Sequence, residues 1–366
     1  MQINKAYQVS PIYVFFLIHS AQFGAGALGF SRIVAKKAGY DAWIGVVLTS
    51  IFLHILMWIM YCMLSWVKGS ILEIQTYMFG KFFGTCLNLI FLVYFFVVSV
   101  SILRTYIEIV QVWMFPTAST LMLAIILSVL VYYIISSGFQ VITAICIVSI
   151  FISIFYIIIC VYSLLLYGHW DVFAPMLNHS YLDIVDAMKK SVYTMAGSEI
   201  ILMIYPFIHA PKESHKFAQY GLLFSNVLYV LTVVSALACF GEKQLSHRIW
   251  SQLSLSQVIT LPIIQRFEYL LVSAYAWQMV ASIILPLWAC TRGLREISKV
   301  RQKYTLLILL SINIIIVCLL QDRHIINTFI TQTSRFTFYL ICIYIPILFL
   351  LLCLKVQYQK KRIQYK

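Results

Sequence analysis

Runs of about twenty apolar residues alternate along this chain with short polar punctuation, and each run is long enough to cross a hydrocarbon layer as a helix. The pattern predicts about ten spans, at 10–36, 42–66, 82–110, 117–136, 140–167, 185–209, 215–241, 267–292, 304–321 and 334–355. Between the second and third, residues 70–80 read as a short interfacial helix. Residues 168–183 read as a polar loop carrying His169, Asp171, Pro175 and Asn178. In the loop 241–265, residues 251–259 read as a helix lying on the membrane surface.

Two spans are interrupted. The first holds Gly24-Ala25-Gly26-Ala27-Leu28-Gly29, three glycines in a stretch where each weakens a helix by about 1 kcal/mol relative to alanine. At membrane depth such a patch persists only where the freed backbone groups meet protein, water or ligand. Five spans later comes Val192-Tyr193-Thr194-Met195-Ala196-Gly197-Ser198-Glu199-Ile200, again small in the middle and followed by an apolar half-helix ending at Pro206 and Pro211. Close helix packing on small residues would explain either patch alone. Breaks in the first and sixth of ten spans are the signature of a five-plus-five inverted repeat with a binding site between the two discontinuous helices. The repeats would cover about 10–167 and 185–321, with the tenth span at about 334–355.

Glu199 sharpens this reading, because an ionisable side chain at mid-span costs several kcal/mol unless paired, protonated or hydrated. Three roles stand open for it: capping N–H groups freed by the break, meeting a ligand ammonium, or carrying a proton or cation. On the third span lie Tyr94, Ser99, Ser101, Arg104 and Glu108. Arg104 and Glu108 are spaced i,i+4 and read as an intrahelical ion pair near the outer surface. The eighth span carries Ser273, Tyr275, Gln278, Ser282 and Pro286, with Tyr275, Met279 and Ser282 spaced for one face. These two spans are the candidate walls of the site. His19 and His54 read as hydrogen-bonded packing.

Composition agrees with a membrane domain and adds orientation. The 366 residues are 62% hydrophobic and 10% charged, and no polar block is long enough for a separate soluble domain. The N-terminus, with Lys5 and no small-residue cleavage site, does not read as a cleavable signal. A net charge of +14 comes from basic residues in loops and at the C-terminus, which speaks for anionic lipid rather than nucleic acid. More of them fall on one side when both termini are cytoplasmic, although Arg32, Lys36 and Lys37 oppose that count. The nine cysteines lack metal spacing, and Cys62, Cys146, Cys160, Cys239, Cys318 and Cys342 read as packing residues. No metal or cofactor is expected, nor an enzyme, since no GxSxG, P-loop or HExxH motif is present.

The run from Gly26 through Ser31, Arg32, Lys36, Lys37, Gly39, Tyr40 and Asp41 to Trp43 and Ile44 closely resembles the start of the spore germination permeases. Leu103-Arg104 to Glu108 before Pro116, and Ala196-Gly197-Ser198-Glu199 with Pro206, resemble the same family. Where this chain has Ser31 the family often has proline. The family lies within the amino acid–polyamine–organocation superfamily and comprises the B subunits of nutrient germinant receptors. The resemblance implies a multi-pass protein of the spore inner membrane, with A and C subunits as partners and a small germinant, such as an amino acid, nucleoside or sugar, in a LeuT-type pocket. By position that pocket would use Gly24, Ala25 and Gly26 on the first span, Tyr94 and Val98 on the third, and Ala196, Gly197, Ser198 and Glu199 on the sixth. Gln278 and Ser282 on the eighth are added from their placement. The expected function is a nutrient sensor, with a proton-coupled amino acid transporter and a ligand-gated channel component as the alternatives.

Overall fold

The computed structural model describes residues 4–257, 259 and 266–364. Among them, seven helical stretches are long and apolar enough to cross a membrane, joined by the shorter apolar helices Thr120–Ser136 and Ser198–Phe207. Grouped by chain reversals they make ten crossings. The first is α1 (Val14–Gln22), a 3-10 turn at Ala25–Leu28, and α2 (Phe30–Ala38). Then follow α3 (Ala42–Val67), α4 (Ile71–Trp113), α5 (Thr120–Ser136) and α6 (Phe139–Tyr167). The sixth crossing is α7 (Tyr181–Thr194), a 3-10 turn at Ser198–Ile200, and α8 (Ile201–Ile204). After α9 (Ser214–Ser246) and the short α10 (Ser251–Ser256) come α11 (Phe267–Ser298) and α12 (Gln302–Leu319). The last crossing runs from α13 (Arg323–Phe338) through a π-type segment, Tyr339–Tyr344, into α14 (Ile345–Gln364).

Local chemistry explains several boundaries. Ser70 and Glu73 form a capping box at the start of α4, the Ser70 N–H donating to the Glu73 carboxylate at 2.6 Å. Gly80, at φ +77°, then separates a short leading helix from the long crossing, so a helix does occupy the region read as interfacial. The third and eighth crossings pack side by side: the Leu92 side chain sits where Gly293 would carry a Cβ, and the Tyr106 hydroxyl donates to the Val272 carbonyl at 3.2 Å. Close approach at small residues is the usual means of association where lipid offers no hydrophobic drive.

The first and last described segments of the chain lie at one end of the bundle. The Val9 N–H donates to the Phe207 carbonyl at 2.8 Å just past α8, and the Lys355 ammonium donates to the Tyr77 carbonyl at 2.6 Å in the first turns of α4. At the opposite end Asp41, in the turn between α2 and α3, accepts from the backbone N–H groups of Leu177 and His179 at 2.8 and 3.0 Å. That stitch ties the loop after α6 to the far end of the first crossing.

One expectation is corrected here. The helix read at 251–259 does not lie on a surface: α10 ends at Ser256 and every one of its residues is buried. It packs on α6, α9, α11 and the 3-10 turn of the first crossing. Its serines and leucines look amphipathic, but Ser256 Oγ closes on the Leu253 carbonyl at 2.8 Å and Gln252 Nε2 donates to the Thr232 carbonyl at 2.8 Å, while Ser251 Oγ is buried without a partner. Residues 258 and 260–265 of that loop lie outside the described residues.

Candidate functional site

Both predicted breaks are present and face each other. In the first, α1 stops at Gln22, Phe23 leaves the helical conformation, Gly24 is extended, and one 3-10 turn precedes α2. In the second, α7 stops at Thr194 and Gly197 takes φ +123°, a conformation that suits glycine. A Cβ on Gly197 would lie 2.3 Å from the Ala21 carbonyl oxygen, so the backbones touch there. On the other side of the break, a Cβ on Gly26 would lie 2.7 Å from the Thr194 methyl.

The carbonyls freed by unwinding find side-chain donors from neighbouring helices, as a dry environment demands. Ser282 Oγ donates to Ser20 O at 2.8 Å, Gln278 Nε2 to Phe23 O at 2.5 Å, and the Tyr275 hydroxyl to Gly24 O at 3.1 Å. The Tyr229 hydroxyl lies 2.8 Å from Gln22 O and 2.7 Å from Thr194 O, linking the two breaks through one group. Gln22 Nε2 completes the link with bonds to Met195 O at 2.8 Å and Asn226 Oδ1 at 2.9 Å. Phe23 fills the space beside the break, its ring against Tyr156, Tyr229 and Tyr275. Three amide atoms close to this junction are buried with no hydrogen-bond partner: Gln22 Oε1, Asn226 Nδ2 and Gln278 Oε1.

Glu199 caps the second break. One carboxylate oxygen accepts from the Gly197 N–H at 2.8 Å and the other from the Tyr94 hydroxyl. Of the three roles open in the sequence, capping is therefore the one with visible partners. The intrahelical pair expected between Arg104 and Glu108 is corrected: Glu108 pairs with Arg323 across the site, and Arg104 Nε donates to the Leu320 carbonyl at 2.6 Å. An i,i+4 spacing allows such a pair on an exposed helix, but here Glu108 turns to Arg323 on the tenth crossing and Arg104 to a backbone carbonyl at its entry. His19 lies 2.8 Å from Ser225 Oγ and 2.6 Å from Ser153 Oγ, and His54 lies 2.5 Å from Gln219 Oε1, in keeping with hydrogen-bonded packing.

A cavity of about 150 Å³ adjoins the first break, walled by Ala25, Gly26, Ser101, Thr105, Tyr193 and Thr194 among others. Through Arg32, Ile33, Asn327 and Ile330 it shares walls with a wider space of about 850 Å³. That space is lined by Tyr40, Glu242 and Lys243, at the end of the bundle away from the termini. Of the eleven residues singled out in the sequence, Ala25 and Gly26 line the cavity. Gly24, Gln278 and Ser282 form the joint between the first break and α11, where a Cβ on Gly24 would lie 3.5 Å from Ser282 Oγ. Gly197 and Glu199, with Tyr94, form the second break and its cap, flanked by Ala196 and Ser198; Val98 is partly buried against the core. Tyr229, Gln22, Asn226, Tyr193, Thr194, Trp250 and Arg323 were missed. Of these, Tyr193 and Thr194 stand in the interrupted stretch of the sixth span, and the tyrosine and asparagine within the apolar seventh span also gave a signal.

The fold is that of substrate-binding secondary transporters. MhsT, whose crystal structure is in complex with L-phenylalanine, superposes with a TM-score of 0.63 at 12% identity, covering 94% of this chain and 88% of that one. A Na+-coupled sialic acid symporter in a substrate-bound outward-open state superposes with a TM-score of 0.66 at 11% identity, covering 95% and 79%. The family is shown by sequence: the spore germination protein (spore permease) model matches residues 8–326, and the chain belongs to that family. It is 38% identical over 359 residues to spore germination protein GerQB of Bacillus cereus, covering 98% of this chain and 99% of that one. It is also 24% identical over 296 residues to spore germination protein B2 of Bacillus subtilis (strain 168), covering 78% and 79%.

Proposed function

We propose that this germination permease is a nutrient sensor, the B subunit of a germinant receptor, which takes a small ligand such as an amino acid between its two discontinuous helices. The observation that carries the reading is the junction itself: two broken backbones held against each other beside a cavity, with unused amide atoms of Gln22, Asn226 and Gln278. Helix N-termini and freed N–H groups at such a break suit a carboxylate or another polar head. The cavity opens away from the termini, so with both termini cytoplasmic the ligand arrives from outside the inner membrane of the spore. Binding would bias an equilibrium between arrangements of the bundle by its differential affinity for them, and the A and C subunits would read the shift.

A coupled transporter is the second reading, favoured by the symporter likeness. Purified protein, alone and in vesicles, separates the two. Screening amino acids, nucleosides and sugars should give saturable binding without net uptake of label. Accumulation of label by this chain alone would replace the sensor with a transporter, and ligand-triggered ion flux without accumulation would point to a channel component.

A further inference from the structure

The vestibule above the breaks holds a charge arrangement that the sensing site does not use. Arg32 on α2 and Arg323 at the start of α13 both line the 150 Å³ cavity, close enough for their like charges to act on each other. Arg323 is matched by Glu108. Arg32 has no acidic partner among the described residues, and its Nε is buried without a hydrogen-bond partner. Arg104, the third guanidinium nearby, is turned to the Leu320 carbonyl and leaves Nη1 unpartnered. Arg32, Arg323 and Glu108 thus share one cavity wall with Arg104 close behind; two guanidinium donors are left without partners, and so is one carboxylate oxygen, Glu108 Oε2.

We propose that Arg32 and Arg323 form an anion site at the floor of the vestibule, which holds the oxyanion head of a small carboxylate or phosphate. An anion there would occupy the Arg32 donor, screen the repulsion between the two arginines and bridge the first crossing to the tenth. Guanidinium forks match such groups bidentately. The first turn of α13, with the Asn327 side chain in the same wall, adds a helix N-terminus that favours negative charge. The cavity has the volume of about five waters, room for acetate or inorganic phosphate. Lys36, Lys190 and Lys243 line the wider mouth against Glu242 and raise the local anion concentration. The site shares its cavity with the two breaks, whose Ala25, Gly26 and Thr194 stand in the same wall, but it rests on the arginine pair alone, so its failure would leave the sensing reading in place.

The test titrates full-length purified protein with sodium acetate and with sodium phosphate, at ionic strength fixed by sodium chloride. Tryptophan emission is the readout, because Trp250 lies in the cavity wall beside Arg323. Wild type should saturate with at least one of the two anions, and which one names the head group. Arg32→Gln should weaken that binding by about tenfold or more, Arg32→Lys by less, and Lys212→Gln, at the end near the termini, not at all. If Arg32→Gln fails to fold, the half-exposed Arg323→Gln serves in its place. No saturable response of wild type to either anion, or equal affinity in the folded arginine variants, would overturn the site.

Discussion

Replacing Gly197 by alanine probes the contact between the two breaks directly. The substitution adds one methyl group but meets two obstacles. At φ +123° an L side chain is strained by about 1–3 kcal/mol. The new Cβ would also stand 2.3 Å from the Ala21 carbonyl oxygen and 2.5 Å from its carbon, where backbone rather than a flexible side chain must give way. Overpacking of that kind adds about 1–3 kcal/mol, so the whole comes to about 2–6 kcal/mol. Gly24→Ala is the internal control, because its Cβ would make an ordinary 3.5 Å contact with Ser282 Oγ on a backbone any residue adopts. Gly26→Ala should fall between, since a 2.7 Å approach to the Thr194 methyl is relieved by a small shift of that side chain. Thermal unfolding in detergent, followed by intrinsic fluorescence, should rank the variants Gly24, Gly26, Gly197 in increasing loss. A Gly197→Ala protein as stable as wild type, or a Gly24→Ala protein that loses more, would refute the packed junction.

Other consequences follow from individual contacts. Glu199→Gln keeps an oxygen for the Gly197 N–H and an amide that the Tyr94 hydroxyl can meet, so stability should change little. Glu199→Ala strands both buried donors and should lose about 1–3 kcal/mol for each, read from the same unfolding curves. A double-mutant cycle on Glu108 and Arg323 should show a coupling of about 1 kcal/mol or more, larger than the cycle on Glu108 and Arg104; the reverse order would restore the intrahelical pair. In the turn between two crossings, burial alone would raise the Asp41 carboxyl. The Leu177 and His179 N–H groups and the His179 ring outweigh it and hold the group below the usual carboxylate range. A depressed folded value means that its stabilisation is complete above the unfolded carboxylate range and is lost as pH falls through the lower folded value. Unfolding measured from pH 6 down to about pH 3 should show that loss in wild type and not in Asp41→Asn.

The ten-span architecture was legible because hydrophobic length and two interrupted spans are one-dimensional signals. Gly24 to Gly29 and the stretch around Gly197 announced the breaks, and the polar positions of the eighth span, Gln278 and Ser282 among them, marked α11 as a candidate wall. What closes the site was not legible. Gln22, Tyr229 and Asn226 bond across separations that no local pattern encodes, and Arg323 sits at a span end where any basic residue would read as an interfacial charge. The same limit misassigned Glu108, whose nearest cation in sequence is not its partner in space. It also misplaced α10: six residues of serine, glutamine and leucine look interfacial until neighbouring helices surround them.

The most direct test of ligand binding between the broken helices is the affinity of purified Gly26→Leu for whichever germinant the wild type binds in the screen. A leucine there would project into the Thr194 side chain and fill the edge of the cavity. The account predicts a folded, membrane-inserted variant whose binding is lost. Wild-type affinity in that variant would place the ligand elsewhere and contradict the account.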